Sequence, residues 1–144
     1  MDYEVLRLLG CLHDNDDEGR GTMSAADHLG AYAEGWTNGD ADKIIGSMSD
    51  SYVLDDPNEG HITKPGFASY LAGMKEALAS MRGEDYSGPF MELTEVTTRE
   101  DGGVLTAWCW WSIPGTTLQG AGLIKVGDDG VQSEKLTYYT KLPE

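Results

Sequence analysis

Between Ala25 and Thr37 the apolar positions fall at Leu29, Tyr32, Ala33 and Trp36. They are spaced by three and four residues, which predicts an amphipathic helix. Ser24, with Asp27 three residues on, opens it in the manner of a capping box. Asn38-Gly39 closes it, because glycine accepts the left-handed conformation a helix end needs. Asp40 caps a second, short helix whose Ile44, Ile45 and Met48 face inward. A strand follows at Ser51–Asp55, and Asp56-Pro57-Asn58-Glu59-Gly60 has turn chemistry. Pro57 biases Asp56 toward an extended backbone. Pro65 suits the start of a third helix, which carries Phe67, Tyr70, Leu71, Met74, Leu78 and Met81 and ends near Arg82-Gly83. Residues 83–89 form a loop.

Beyond this loop the hydrophobic period changes from 3.6 to 2. Four strands are predicted, at Phe90–Arg99, Val104–Ile113, Thr116–Val126 and Val131–Thr140. Their short links, Glu-Asp-Gly-Gly, Pro-Gly and Gly-Asp-Asp-Gly, imply antiparallel neighbours. Helices followed by a meander give an α+β domain. Gly120 and Gly122 mark points where the third of these strands bends or lets another group come close. Residues 1–22 stand apart as an N-terminal extension to a single domain at 23–144. Val5, Leu8, Leu9 and Leu12 make a short apolar stripe, and residues 14–21 an acidic linker. The stripe either packs on its own domain or meets a partner.

The 144 residues suit one domain with room for a core and a cavity. A formal net charge of −15 argues against nucleic acid and against an anionic membrane surface as partners. No apolar run reaches the roughly 18 residues of a membrane span. The acidic start, with Asp2 and Glu4, lacks the basic leader of a signal peptide. Cys11 and Cys109 read as free thiols. The expected compartment is therefore the cytoplasm. Metal-ligand spacings (HxH, HExxH, paired cysteines) are absent from the sequence, as are a GxGxxG, a Walker loop and a GxSxG elbow.

The candidate chemistry lies in residues 32–57. Asp56 ends a strand beside Pro57 and near the aromatic helix face. In an apolar cavity, desolvation would raise its pKa and suit it to take a proton. The plain alternative is that an Asp before Pro starts a turn. Asp55, next to it, points to the other face of the strand. Tyr32, the Gly39-Asp40 turn and Asp56-Pro57 together resemble the ketosteroid-isomerase and polyketide-cyclase branch of the NTF2-like (SnoaL-like) superfamily. That resemblance covers about residues 24–142. It implies a cone in which three N-terminal helices pack in a curved, mostly antiparallel sheet, and reactions that need no cofactor.

On the same resemblance Asp56 takes the place of the base, and Tyr32 that of the hydrogen-bond donor to a carbonyl. The second acid of the ketosteroid isomerases aligns with Gly122, and no Asp or Glu occurs from Trp108 to Gly127. Trp36, Phe67, Tyr70, Met74, Trp108, Trp110, Gly122 and Tyr139 are expected around a small apolar ligand, with His61 at the rim. Alternation along the strand sets Trp108 and Trp110 on one face and Trp111 on the other. A homodimer through the outer sheet face is the expected assembly. Two functions stay open: a cofactor-independent proton-transfer enzyme, and a non-catalytic ligand-binding or interaction domain.

Overall fold

The computed structural model of the protein describes residues 23–83 and 85–140. The Val5–Leu12 stripe, the acidic linker and Cys11 lie outside them. The described chain runs α1 (Ala25–Asn38), α2 (Ala41–Gly46), β1 (Met48–Asp56), β2 (Gly60–Thr63), a single 3-10 turn, α3 (Phe67–Arg82), β3 (Glu92–Asp101), β4 (Val104–Ser112), β5 (Leu118–Gly127) and β6 (Gly130–Thr140). The six strands form one sheet in the order β2-β1-β6-β5-β4-β3. All neighbours are antiparallel except β1 and β6, which run parallel.

The local signals act as their chemistry requires. The Asp27 amide donates to Ser24 Oγ at 3.2 Å, and the Ser24 amide to Asp27 Oδ2 at 3.0 Å, completing the capping box. Gly39 ends α1 with φ of 65°. Asp40 Oδ1 accepts from the Lys43 amide and starts α2.

Two expectations needed correction. Met48 belongs to β1, not to the short helix: the Val131 amide bonds the Ser47 carbonyl at 2.8 Å and starts strand pairing there. Gly60–Thr63, taken as turn and loop, is strand β2, folded back on β1 with Asp56 opposite Gly60. A four-residue strand is too short to show a period of its own.

The core lies between α1, α3 and one face of the sheet. Leu29, Tyr32, Ala33 and Trp36 of α1 are buried, as are Phe67, Leu71 and Leu78 of α3. The Trp36 and Phe67 rings meet edge to face at 5.6 Å. Gly35 lets α2 lie close on α1, since a Cβ there would sit 2.6 Å from Ile44 Cγ1 and 3.0 Å from the Ile44 backbone nitrogen. Gly35→Ala is therefore expected to destabilise the fold by about 1–2 kcal/mol, the overpacking exceeding the helix-propensity gain. Urea unfolding midpoints of the two proteins measure this.

Candidate functional site: a buried carboxyl in an apolar cavity

A cavity of about 480 Å³ opens between α1, α3 and the inner sheet face. Its wall is mainly apolar, with Trp36, Met74, Leu78, Trp111, Ile124 and Leu136 prominent. Among the described residues three acids line it, Asp56, Glu59 and Glu134, and no Lys, Arg or His does.

Glu134 is one of two buried acids among these, only 5% exposed. It lies mid-strand on β6, opposite Ile124 of β5 and beside Leu54 of β1. The Tyr32 hydroxyl of α1 donates to its Oε1. Tyr32 is itself bonded at 2.7 Å to the hydroxyl of Tyr52, which comes from β1. Glu134 Oε2 accepts no hydrogen bond among the described residues and is not sealed off, so it is the oxygen open to the cavity. Burial pushes the Glu134 carboxyl up to about 7, although the Tyr32 hydrogen bond pulls the other way. Burial and the nearby carboxylate also raise Tyr32 and Tyr52 well above the ordinary phenol range. Cys109, also in the wall, is pushed up to about 12, chiefly by burial and then by Glu134.

Gly122 explains how this acid fits. A Cβ at position 122 would lie 2.1 Å from Glu134 Oε2. The glycine that stands where the isomerase resemblance expects an acid leaves the space that an acid from the adjacent strand fills.

Asp56 lines the cavity too, 4% exposed, but its state differs from the expected one. Oδ2 accepts from Tyr70 at 2.6 Å. Oδ1 accepts from Tyr138 at 3.0 Å, from the Asn58 amide at 2.8 Å and from the Glu59 amide at 3.2 Å. Burial alone would raise its pKa, but these donors outweigh burial and hold the carboxyl below its ordinary value. Asp56 thus caps the turn after β1 and faces the cavity at once, as a carboxylate kept ionised.

The remaining expected residues divide. Trp36, Tyr70 and Met74 line the cavity with Tyr32. Phe67 is buried behind the wall, against Trp36 and Tyr52. Trp108 and Trp110 lie on the outer face, 40% and 39% exposed, and Trp111 with Cys109 faces inward. The alternation held, and the choice of inner face was the wrong one. Tyr138 supplies the cavity contact expected of Tyr139, whose side chain lies outside the described set. His61 is exposed, 3.7 Å from Asp55 and not in the wall. The indole N–H groups of Trp36 and Trp111 have no partner among the described residues, but both are sealed from the cavity.

Glu134 and Tyr52 were missed. The signal for Glu134 was present in β6, where Glu134, Leu136 and Tyr138 alternate with Lys135 and Thr137. An acid on the apolar register of a central strand is a candidate for a perturbed pKa.

The buried acid has a consequence for stability. Its pKa is raised on folding, so the native state binds more protons between pH 4.5 and about 7. Its contribution is present below that window and is lost as pH rises through it, by on the order of 3 kcal/mol. Asp56 acts in the opposite sense, stabilising above its folded pKa and losing that contribution as pH falls. Glu134→Gln is expected to flatten the decline between pH 5 and 8 and to be the more stable protein at pH 8. Denaturant titrations across that range check it.

No protein-family model matches the chain, and no curated sequence does. Solved structures match it over most of its length. An NTF2-like protein of unknown function from Cytophaga hutchinsonii has 12% identity and a TM-score of 0.56, covering 83% of this chain and 94% of that one. A candidate polyketide cyclase from Xanthomonas campestris has 19% identity and a TM-score of 0.54, covering 81% and 90%. A candidate ketosteroid isomerase from Kribbella flavida has 16% identity and a TM-score of 0.51, covering 81% and 78%. Helices packed on one face of a six-stranded mixed sheet, a cavity between them and these likenesses lead to one conclusion: the chain has the NTF2-like fold.

Proposed function

We propose that the protein is a cofactor-independent proton-transfer enzyme acting on a small, largely apolar carbonyl compound, with Glu134 as the acid–base group. What carries this reading is Glu134 Oε2, open to an apolar cavity on a carboxyl that burial pushes up to about 7. General acid–base catalysis is most effective with a group poised near the working pH. Two carboxyls whose surroundings separate their pKa values suggest a division of roles. Glu134 exchanges the proton, while Asp56, fully bonded and ionised, fixes Tyr70 and Tyr138 in the wall. This moves the base from Asp56, where the family resemblance put it, to β6. Tyr32 then acts through Glu134: its hydroxyl donates to the carboxyl and orients it. In the step itself a C–H bond next to the carbonyl breaks, the proton passes to Oε2, and the electron pair moves into the enolate.

One observation favours the rival, a ligand-binding domain without catalysis. The Tyr32, Tyr70 and Tyr138 hydroxyls all donate to carboxylates, so none is free for an enolate oxygen. Hydrogen–deuterium exchange next to the carbonyl of 2-tetralone, followed by proton NMR in deuterium oxide, separates the two. The enzyme is expected to speed exchange, with a rate rising through pH 7 as Glu134 ionises. Glu134→Gln is expected to reduce it by about 100-fold or more. Exchange unchanged by that substitution would exclude Glu134 as the base. Binding of 2-tetralone without exchange would favour the rival.

The expected homodimer belongs to the same proposal. Trp108 and Trp110 pack edge to face at 6.3 Å on the outer sheet face and remain partly exposed, as a surface covered by a second copy would be. Sedimentation velocity is expected to show a dimer, and Trp108→Glu a monomer. A monomeric unsubstituted protein at micromolar concentration would remove this part.

A further inference from the structure

We infer that the cavity selects ligands bearing a cationic nitrogen on an apolar skeleton, with the cation held against Glu134 Oε2. Three features converge on that charge. Among the described residues the wall carries Asp56, Glu59 and Glu134 and no basic side chain, so an anionic ligand would find no counter-charge in them. The acid cluster alone would prove little, but Glu134 is 95% buried and has one oxygen unpartnered and facing the cavity. Once the carboxyl is ionised, that oxygen is an acceptor without a donor among the described residues. The walls around it include Trp36, Tyr70, Trp111 and Tyr138, whose ring faces attract cations.

The inference rests on Glu134 as the working carboxyl of the proposed enzyme, though not on turnover. It also answers the difficulty raised against that enzyme. With the Tyr32, Tyr70 and Tyr138 hydroxyls all engaged by carboxylates, a positive nitrogen within the substrate can stabilise the electron pair left when the neighbouring proton moves to Oε2. An amino ketone or a protonated imine has this property. In the imine the C–H pair becomes the new C=C bond, the C=N pair returns to nitrogen, and a neutral enamine results.

Binding to Glu134 is linked to the groups packed around it. These are Tyr32 from α1, Tyr52 and Asp56 from β1, Tyr70 from α3, Cys109 from β4 and Tyr138 on β6. The phenols and the thiol are pushed upward, so they stay neutral below pH 8, and Asp56 stays ionised. Glu134 is the member of this set that changes charge near pH 7.

The test is calorimetric titration of the full chain with three probes of one skeleton: 1-naphthylmethylamine, 1-naphthalenemethanol and 1-naphthoate. The amine is expected to bind at least about tenfold more tightly than the alcohol, the gain of a hydrogen bond to a buried charge. The naphthoate should be weakest. Near pH 6, where Glu134 starts protonated, amine binding should release close to one proton, seen as a heat that varies with the buffer's ionisation enthalpy. The alcohol should release none. Glu134→Gln should bring amine and alcohol within about twofold while alcohol binding persists, which shows that the variant is folded. The preference should also survive a rise from about 0.05 to 0.5 M salt, since a buried pair is screened little.

Naphthoate binding as tightly as the amine would overturn the inference. So would an amine preference that persists in Glu134→Gln or disappears with salt, because the general acidity of the protein would then explain it. Failure of the tetralone exchange with the amine preference intact would remove the catalytic reading and leave this one.

Discussion

A carboxyl buried with no counter-charge among the described residues is the constraint around which this molecule is arranged. Burying an ionised carboxylate alone is costly enough that the group shifts its pKa instead. The protein accommodates Glu134 with one donor, Tyr32, backed by Tyr52. It also keeps a glycine at position 122 so that the carboxyl has somewhere to lie. Those residues come from α1, β1, β5 and β6, so one acid ties the helix layer to the sheet.

The two inner carboxyls show how environment sets chemistry. Asp56 and Glu134 line one cavity and are both almost fully buried. Asp56 receives four hydrogen bonds and stays ionised, whereas Glu134 receives one and is neutral over much of the acidic range. At Asp56 the donors outweigh burial, whereas at Glu134 burial outweighs the single donor. Tyr70 and Tyr138 therefore affect the cavity's charge as well as its shape.

Local signals were legible in the sequence, and signals from distant strands were not. The helices, their caps and the four-strand meander follow from spacing and turn chemistry that act within a few residues. The hairpin partner β2 was too short to show a period, and the parallel pairing of β1 with β6 depends on a distant strand. At the site, Asp56 could be picked out because it combines a strand end with Pro57. Its electrical state could not, because Tyr138 is 82 residues away. Strand alternation separated Trp111 from Trp108 and Trp110, but it does not say which face is inner. For Glu134 the register was readable from Leu136 and Tyr138, but the central place of β6 between β1 and β5 was not.

The parallel pairing of β1 with β6 has a consequence for how the cavity comes into being. Tyr32 and Glu134 are 102 positions apart, and β6 fills the gap between β1 and β5 in the sheet. During synthesis the helices and the first hairpin emerge early. The part of the chamber wall made by Glu134, Leu136 and Tyr138 arrives only with β6. Until it docks, β1 offers an open edge and the tyrosine pair has no acid to hold. Long-range closure of this kind slows folding, and it leaves an incomplete chain without the groups its chemistry would need.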